Sequence, residues 1–444
     1  MFPRNSFNPV KRAIILSVGD ELVLGQTVDT NSAWISAQLA TVGCAVAAHA
    51  TVPDDLRAIE EAILQSRDRC DYIIVSGGIG PTEDDLTRQA LAAVMNVPLE
   101  MDHAWLKQLD EFFVKRGRPM PERNKIQAMI PKGAARIWNT CGTAAGIDAY
   151  VSDACRVIVM PGVPKEMREM FTRSVLPTLV VSSSGEVILS RTLHTFGLGE
   201  SAVAEKLGDL MRRDRNPSVG TTVANGIVSL RVNARFGSKD EAQKQLDETT
   251  ELCRAALGEL IFGQDDETLQ QVVGQLLKSS DRTVATAESC TGGLLSKMLT
   301  DVSGSSDYFQ TGWITYSNQA KYERLGVSME IINTYGAVSE PVVKAMSKHA
   351  RRLAKSDFAL AVSGVAGPTG GTPSKPVGTV CIALAFPPLP RGEGWGEGAR
   401  DYQNSQILAR TFNFPGDREW VRDRSAKMAL TMLRYHLLGK PLPL

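Results

Sequence analysis

Short apolar segments that end at glycine or acidic residues, each followed by a helical pattern, recur along this chain of 444 residues. Near the start, Ala13–Val18, Ala45–Val52 and Tyr72–Ser76 have the composition of buried strands, and helical patterns cover Asn31–Val42 and Asp54–Gln65. Strands that alternate with helices are joined by right-handed crossovers into a parallel sheet with helices on both faces. The alternation therefore predicts an α/β fold.

The patterns divide the chain into three blocks, at residues 12–173, 174–263 and 264–440. The first block ends with another strand pattern at Arg156–Met160. The second block is smaller and predicts an α+β domain rather than a catalytic core. Its strand and helix patterns lie in the order β-α-β-β-α and include Val187–Phe196, Ser201–Met211, Ile227–Phe236 and Lys239–Leu257.

The third block again alternates helices and strands. Its first helix carries apolar residues at i, i+3, i+4, i+7 and i+8 from Leu269, which predicts one buried face. A closing helix from Asp417 is predicted to bury one apolar stripe formed by Val421, Met428, Ala429 and Met432. Pro387–Arg400 is rich in glycine and proline and is predicted to be an exposed, mobile loop. The strand patterns are Phe358–Val362, Val377–Phe386 and Gln406–Phe414.

Composition limits the function classes. Lys and Arg total 49 and so do Asp and Glu, so the balance offers no basic surface and nucleic-acid binding is not expected. No apolar run approaches ~18 residues, which argues against a membrane span, and the polar start does not read as a signal peptide. Seven scattered cysteines without a C-x-x-C pair indicate reduced thiols and a cytoplasmic location. Five dispersed histidines argue against a histidine metal centre.

Two acidic pairs follow predicted strands of the first block, Asp20-Glu21 and Asp84-Asp85. The ligand crevice of an open parallel sheet lies beyond the carboxyl ends of its strands, so both pairs face one crevice if the strands are neighbours. Carboxylates there could hold a divalent cation, with Asp20, Asp84 and Asp85 as candidate ligands. The alternative is that these acids cap helices. Glycines permit close approach to a phosphate, and the candidate binding residues of this loop are Gly77, Gly78, Gly80 and Thr82.

These segments resemble a known family. The strings VGDELVLGQTVDTN, VSGGIGPTEDDLT, NKIQAMIPKGA, GTAAG and MPGVPKEM closely resemble the amino-terminal domain of the CinA (competence/damage-inducible) family. That domain is similar in fold to molybdopterin-binding proteins. In several members it is an ADP-ribose pyrophosphatase that requires a divalent metal. The resemblance therefore implies a molybdopterin-binding-like domain with ADP-ribose as a ligand and a divalent cation as cofactor.

In the third block, the strand pattern Thr283–Ala287 breaks at Glu288–Gly293, and a helical pattern starts at Leu294. Small residues between a strand and a helix leave backbone N–H groups beside Ser289, a geometry that suits an oxyanion. These candidate binding residues are Thr291, Gly292 and Gly293.

A serine nucleophile needs a base, and no histidine is near it in the sequence, so Lys321 could serve if burial lowers its pKa. A helix cap for Ser289 and a solvated charge for Lys321 remain the alternatives. Cys290 is a rival nucleophile, but a small buried neighbour is the expected role for it.

Two further segments suit a nucleotide. A glycine loop follows the Phe358–Val362 strand pattern. It could contact a phosphate or a ribose, or it could only connect two strands. Its candidate binding residues are Gly364, Gly367 and Gly370. Arg418 and Arg422 open the last helix and could bind a phosphate or only face solvent.

The strings AESCTGGLLS, GWITYSNQAKYERLGV, AVSGVAGPTGG, KPVGTV and GDREWVR together resemble the carboxy-terminal CinA domain, a nicotinamide-nucleotide amidase. The resemblance implies hydrolysis of nicotinamide mononucleotide to nicotinate mononucleotide and ammonia, with no cofactor. The family's proposed serine–lysine dyad matches Ser289 and Lys321. Its tyrosine and late arginine match Tyr316 and Arg418, and Tyr316 is expected to be catalytic.

The sequence thus predicts a cytoplasmic α/β protein without membrane contact. A homodimer is expected, although the sequence itself does not give the oligomeric state. Each chain would have a molybdopterin-binding-like parallel-sheet domain (12–173), a small KH-like α+β domain (174–263) and an α/β amidase domain (264–440). The alternative is a non-catalytic partner protein in competence or the DNA-damage response, with a nucleotide-binding amino-terminal domain.

Overall fold

The computed structural model describes residues 11–180, 187–388 and 402–443. The chain forms two compact units. The first comprises Met1–Ser190 and Asn233–Asp247, and the second comprises Arg191–Val232 and Glu248–Leu444. Within the described ranges, no helix is both long enough and apolar enough to cross a membrane. The predicted loop Pro387–Arg400 lies, from residue 389 onwards, outside the described residues.

The first unit is built on a six-stranded sheet of order β2-β1-β3-β8-β7-β6. Its four parallel strands are β1 (Arg12–Val18), β2 (Ala45–Val52), β3 (Tyr72–Ser76) and β8 (Cys155–Met160). Two antiparallel strands extend it, β7 (Gly146–Ser152) and β6 (Ala135–Ile137). The predicted α/β class is confirmed, but the sheet is mixed, because the short connection Asp153-Ala154 brings β8 back beside β7 as a hairpin.

Helices cover both faces of this sheet. Residues that alternate along each strand point to opposite faces, so Ile14 and Leu16 pack with one core and Ala13 and Ile15 with the other. The helices of the unit are α1 (Asp20–Val23), α2 (Thr30–Thr41), α3 (Leu56–Arg67), α4 (Thr87–Met95), α5 (His103–Val114), α6 (Pro164–Met170) and α7 (Leu176–Val180). A separate pair of short strands is formed by β4 (Leu99–Met101) and β5 (Met129–Pro131).

Residues 187–264 form a four-stranded sheet of order β10-β11-β9-β12. The sequential order β-α-β-β-α is as predicted, with a fourth strand added after the second helix. The elements are β9 (Val187–Phe196), α8 (Glu200–Leu207), β10 (Ser218–Ala224), β11 (Ile227–Phe236), α9 (Lys239–Leu257) and β12 (Ile261–Gln264).

The carboxy-terminal part contains a five-stranded sheet of order β14-β13-β15-β16-β17. Its first three strands are parallel, β14 (Phe309–Ile314), β13 (Val284–Glu288) and β15 (Phe358–Gly364), and β16 (Thr379–Phe386) and β17 (Gln406–Asn413) continue it antiparallel. The helices are α10 (Leu269–Ser279), α11 (Leu294–Thr300), α12 (Asn318–Leu325), α13 (Met329–Tyr335), α14 (Glu340–Ala354) and α15 (Arg418–Leu437).

The last helix, α15, corrects one prediction. Instead of one buried stripe, every residue from Ser425 to Tyr435 is buried. The helix packs on α10, α11 and the sheet, while Arg434 donates to the carbonyls of Glu259 (2.7 Å) and Ile261 (2.9 Å). A helix enclosed on all sides has no solvent face to give it a polar stripe.

Candidate functional site

The structure brings Ser289 and Lys321 together. Ser289 follows β13 directly, and its amide donates to the Val362 carbonyl of β15 (2.9 Å). Lys321 lies in α12, whose start is capped by the Ser317 hydroxyl. The Nζ atom of Lys321 is 3.1 Å from the Ser289 Oγ atom, although the residues are 32 apart in the chain. This separation is within hydrogen-bond range for proton transfer.

Lys321 is enclosed by neutral groups. Its side chain is 1% exposed, and its Nζ atom donates to the carbonyls of Thr315 (2.9 Å) and Tyr316 (3.5 Å). Within the described residues no carboxylate forms an ion pair with it. Burial lowers the pKa of Lys321 from 10.5 to about 8. A neutral amine keeps two N–H donors for these carbonyls and a lone pair for the Ser289 hydroxyl, which is the arrangement of a general base.

Glu288, immediately before the nucleophile, is a residue that the sequence analysis missed. Its buried carboxylate accepts hydrogen bonds from the amides of Gly293 (2.9 Å), Leu295 (3.1 Å) and Ser296 (2.8 Å) and from the Ser296 hydroxyl (2.5 Å). Glu288 thereby caps α11 and fixes the turn that carries Ser289. The glutamate directly before the serine, at the end of a strand pattern, was the available signal.

The oxyanion prediction changes accordingly. The Gly293 amide is bonded to Glu288 and the Gly292 amide to the Ser289 carbonyl (3.1 Å), so neither can hold an oxyanion in this structure. The described amides of this turn without a protein acceptor are those of Cys290 and Thr291. They directly follow the nucleophile, which is where an oxyanion site for an attacking serine is expected.

Cys290 lies in the core cluster beneath the turn. Burial raises the pKa of its thiol to about 12, and the charge of Glu288 adds to the increase. The thiolate is the reactive form of cysteine, so a thiol with this pKa is a poor nucleophile. The structure thus favours Ser289 over Cys290.

Tyr316 and Arg418 contact each other at the edge of the site. Arg418 donates to the Tyr316 hydroxyl (2.8 Å) and to the Gly367 carbonyl (2.9 Å). Lys321 contacts Tyr316 through the backbone carbonyl (3.5 Å), whereas the Tyr316 hydroxyl accepts from Arg418. The arginine ties the tyrosine and the glycine loop to the start of α15.

The glycine loop lies against the nucleophile turn. A Cβ at Gly364 would come within 2.6 Å of the Val380 side chain and 3.1 Å of the Cys290 sulfur, so only glycine fits there. Gly367 and Gly370 have φ angles of 80° and 88°, which glycine adopts without strain. The three predicted glycines therefore shape the wall beside the dyad.

Arg422 holds the other side of the turn. Its guanidinium donates to the carbonyls of Cys290 (3.2 Å) and Thr291 (2.8 Å). The side-chain hydroxyl of Thr291 is buried without a hydrogen-bond partner, and so is that of Thr315. Buried hydroxyls without partners are uncommon and occur at functional sites.

The first unit contains a separate candidate site, a cavity of about 400 Å³ at the carboxyl ends of its parallel strands. Loops after β1, β2, β3 and β8 line it, as expected for an open parallel sheet. Its lining includes five carboxylates and no lysine, arginine or histidine; the acids are Glu21, Asp54, Asp84, Asp85 and Glu166.

The glycines of the β3 loop are needed for close packing. A Cβ at Gly77 would be 2.3 Å from the Val18 carbonyl oxygen, and one at Gly78 would be 2.1 Å from the Thr87 hydroxyl oxygen. Asp85 accepts from the Gly80 amide (2.6 Å) and from the Thr82 amide (2.9 Å) and hydroxyl. Asp85 therefore stabilises its own loop and does not cap α4, whose N-cap residue is Leu86.

The other acidic residues differ in their contacts. Asp20 accepts from the Asp54 amide (3.2 Å), Asp54 accepts from the Asp20 amide (2.9 Å), and Asp20 does not line the cavity. Burial raises the pKa of Asp54, and the charges of Asp20, Glu21 and Asp84 raise it further. The cavity edge is therefore a region of mutually repelling carboxylates.

The predicted divalent cation would have to bind at this acidic edge of the cavity. Among residues 11–180, 187–388 and 402–443, no group of three or more His, Cys, Asp or Glu side chains could hold a metal ion alone. Mg²⁺ commonly uses only one or two carboxylates and completes its shell with water and substrate phosphates. Asp84, with Asp54 or Glu21, fits this mode because these residues line the cavity, and Asp54 accepts an amide of the described residues at only one carboxylate oxygen. Asp20 does not line the cavity, and both carboxylate oxygens of Asp85 accept backbone amides.

Two polar residues near this cavity were also missed from the sequence. Arg88 is buried and donates to the carbonyls of Gly80 (3.1 Å) and Ile79, and burial lowers its pKa to about 10. Asn31 donates to the Ser76 hydroxyl (2.9 Å) and to the Gly162 carbonyl (2.8 Å), and so joins the loops after β3 and β8. The side-chain oxygen of Asn31 is buried without a partner.

Three family models match successive parts of the chain. Residues 14–180 match a probable molybdopterin binding domain. Residues 190–263 match the damage-inducible protein CinA KH domain. Residues 266–391 match the CinA C-terminal domain.

Relatives match over nearly the whole chain. A putative competence-damage inducible protein of Symbiobacterium thermophilum is 43% identical over 435 residues, which cover 96% of this chain and 99% of the relative. A CinA-like protein of Geobacter sulfurreducens is 39% identical, with 95% and 98% covered. The crystal structure of competence/damage inducible protein CihA from Agrobacterium tumefaciens is 34% identical over 38% of this chain and 93% of that one, with a TM-score of 0.34. With such identity over almost the full length of both relatives, this chain belongs to the CinA family.

Proposed function

We propose that the carboxy-terminal domain is a serine–lysine amidase that hydrolyses nicotinamide mononucleotide to nicotinate mononucleotide and ammonia. The observation that carries the proposal is the buried pair of Ser289 and Lys321, 3.1 Å apart, with no ion pair from Lys321 to a carboxylate of the described residues. The family resemblance supplies the substrate. Arg418 and Arg422, which line a cavity and contact Tyr316 and the Thr291 carbonyl respectively, support a phosphorylated substrate.

In this mechanism the Ser289 hydroxyl oxygen attacks the carboxamide carbon while its proton passes to the neutral Nζ atom of Lys321. The amides of Cys290 and Thr291 stabilise the negative oxygen of the tetrahedral intermediate. The Lys321 ammonium then returns the proton to the leaving nitrogen, so that ammonia departs and an acyl ester remains on Ser289. A water molecule, deprotonated by Lys321, hydrolyses this ester to the carboxylate.

The test compares two buried serines near the carboxyl ends of neighbouring strands, Ser289 directly after β13 and Ser363 near the end of β15. Ser289→Ala should abolish ammonia release from nicotinamide mononucleotide, since losing a nucleophile lowers the rate by several orders of magnitude. Ser363→Ala is the matched control, because the Ser363 hydroxyl donates to the Ala337 carbonyl (2.8 Å) and to no lysine. Equal activity of the two variants would refute the assignment.

A second activity is favoured by the acidic cavity of the first unit. We propose that this cavity binds ADP-ribose together with a divalent cation and hydrolyses the pyrophosphate bond. Its lining has five carboxylates and no basic side chain, so a pyrophosphate requires a cation to enter. When bound, such a cation would act as a Lewis acid and template for the phosphates, held by Asp84 with Asp54 or Glu21.

This second proposal is tested by adding Mg²⁺ or Mn²⁺ to ADP-ribose and following AMP formation. Asp84→Asn should lower the rate by about two orders of magnitude and weaken metal binding measured by calorimetry in the presence of ADP-ribose. Glu83→Gln removes an adjacent exposed carboxylate that does not line the cavity, and it should retain activity. Binding without turnover in the wild type would indicate a binding module and favour a non-catalytic role for this unit.

A further inference from the structure

The turn between β10 and β11 is fixed against the last helix of the amidase domain. Asn225 and Gly226 form this two-residue connection with φ angles of 49° and 73°, as Asn-Gly hairpin turns require. Lys427 donates to the Asn225 carbonyl (2.8 Å) and pairs with Asp423 (2.6 Å). A Cβ at Gly226 would lie 3.1 Å from the Arg424 Nε atom, so the turn sits directly on α15.

The surrounding residues pack as one core. Phe196 of β9 and Phe262 of β12 belong to the same buried cluster as Val421 and Met428 of α15. The hydrogen bonds from Arg434 to the carbonyls of Ile261, in β12, and of Glu259 lie at the far end of the same helix. Because apolar packing and hydrogen bonds act at both ends of α15, the position of the Asn225 turn over this helix is well defined.

A cavity of about 640 Å³ lies beneath this turn. Asn225 forms one side, and Leu294, Arg418 and Arg422 contribute to the remainder. No hydrogen bond joins the Asn225 side-chain amide to any described residue, so its donors and acceptor remain available. Arg422 connects the cavity to the nucleophile turn, because its guanidinium also donates to the Thr291 carbonyl (2.8 Å).

The cavity has two arginines that can bind an anion, Arg418 and Arg422. Neither Arg418 nor Arg422 has an ion-pair partner among the described residues, and each donates only to neutral oxygen atoms. The lining also has three carboxylates: Asp417 caps the Trp420 amide (2.9 Å), Asp423 pairs with Lys427, and Glu419 lies beside Arg418 in the first turn of α15. The first turn of the 20-residue helix α15 adds its positive end.

We propose that this cavity binds the phosphate group of the nucleotide and that Asn225 is a specificity-determining residue of the amidase site. The KH-like region then serves the amidase reaction by completing its substrate pocket. The inference rests on the proposed amidase function for the identity of the substrate. It requires only the cavity and its charges for the binding of a phosphate.

The test uses the full-length protein and Asn225→Asp, which keeps the size and left-handed tolerance of the side chain but adds a negative charge. We expect KM for nicotinamide mononucleotide and Kd for ribose 5-phosphate, measured by calorimetry, to rise about tenfold. KM for nicotinamide riboside, which lacks the phosphate, should change by less than about twofold. Asn225→Gly keeps the turn and its carbonyl but removes the amide, and should weaken both phosphorylated ligands by a few-fold.

The matched control is Asn96→Asp, which adds the same charge at another left-handed asparagine (φ 55°) in the first unit. This variant should leave all three constants unchanged. An equal effect of Asn225→Asp on the nucleotide and the riboside, or no effect on either, would overturn the proposal. If the wild type releases no ammonia, the amidase proposal fails. The phosphate site is then still tested by comparing the Kd of ribose 5-phosphate for Asn225→Asp with that for the wild type.

Discussion

Replacing Lys321 by methionine should separate catalysis from stability. The folded protein holds this amine at a pKa of about 8 against an ordinary value of 10.5. The difference is roughly 2.5 pH units, and each unit corresponds to about 1.4 kcal/mol, so burial of the charged form costs about 3 kcal/mol. The same difference raises the neutral fraction near neutral pH about 300-fold, which is what a general base needs.

The sign of the stability effect follows from proton binding. Between pH 8 and 10.5 the unfolded chain keeps a proton on Lys321 that the folded chain has released, so the wild type gains stability as the pH rises through this window. Below pH 8 both states are protonated and the full cost applies. Methionine has no such dependence, so its stability relative to wild type should decline by about 3 kcal/mol from pH 7.5 to pH 10.5.

The substitution also has a stability cost that does not depend on pH, and this cost does not alter the pH dependence of the stability difference. Methionine leaves the Thr315 carbonyl without the donor that lies 2.9 Å away in wild type. An unsatisfied buried acceptor costs about 1–3 kcal/mol, which offsets part of the gain at neutral pH equally at every pH. The pH dependence of the difference is therefore the quantity to compare.

The measurements are denaturant unfolding and ammonia release. The two compact units need not unfold together, so the transition that moves on substitution is the one to follow. Wild-type kcat/KM should rise about tenfold per pH unit up to pH 8 and then level off, and Lys321→Met should lose at least about 1000-fold. A flat wild-type profile, an active Lys321→Met enzyme or a pH-independent stability difference would each refute the reasoning.

Three further outcomes are expected. Cys290→Ser should retain most amidase activity, because its thiol has a pKa of about 12 and is not the nucleophile; an inactive variant with native stability would contradict this. Gly364→Ala should lower the unfolding free energy by about 1–3 kcal/mol, because its Cβ would lie 2.6 Å from a valine methyl group, while Gly199→Ala meets nothing within 4 Å and should be neutral in thermal unfolding. Asp85→Asn should lower the melting temperature because its carboxylate accepts bonds from the loop, whereas Asp84→Asn should leave it unchanged; equal shifts would show that Asp84 is structural too.

Much of the fold could be predicted from local patterns. β2, β3 and α9 have the predicted bounds, because turn residues delimit an apolar or amphipathic segment clearly in each case. The starts of α2 and α3 differ by one or two residues from the predictions. Their capping residues Asp29 and Asp55 stand just before the helices, so the acid marks the boundary and not the first turn.

Other elements lacked a usable local signal or were overlooked. The antiparallel strands β6 and β7 have three and seven residues and carry no clear alternation of apolar and polar side chains, so periodicity did not predict them. Asn225-Gly226 is a strong hairpin signal that was available and was not used. The all-round burial of α15 could not be predicted, since its charged residues are covered through contacts with carbonyls of distant segments.

The candidate site was only partly accessible from residues alone. A strand-turn-helix pattern predicts an anion-binding turn around Ser289, but it does not select Lys321, which is 32 residues away, as its partner. That pairing came from the family resemblance, and the geometry of the two side chains agrees with it. Three-dimensional contacts decide which amides of the turn bind Glu288 and which remain for a substrate, so the spacing of the residues could not predict this.

The ionisable groups around Ser289 differ in how their charges are compensated, and this difference explains why Lys321 is suited to be the base. Glu288 is buried, but three amides and a hydroxyl donate to its carboxylate. Arg422 donates to two carbonyl oxygens on the opposite side of the turn and also faces the cavity. These contacts hold the nucleophile from both sides before substrate arrives. Lys321 has carbonyls and a hydroxyl beside it, and no carboxylate of the described residues pairs with it, so the neutral amine is the form that this pocket accommodates best.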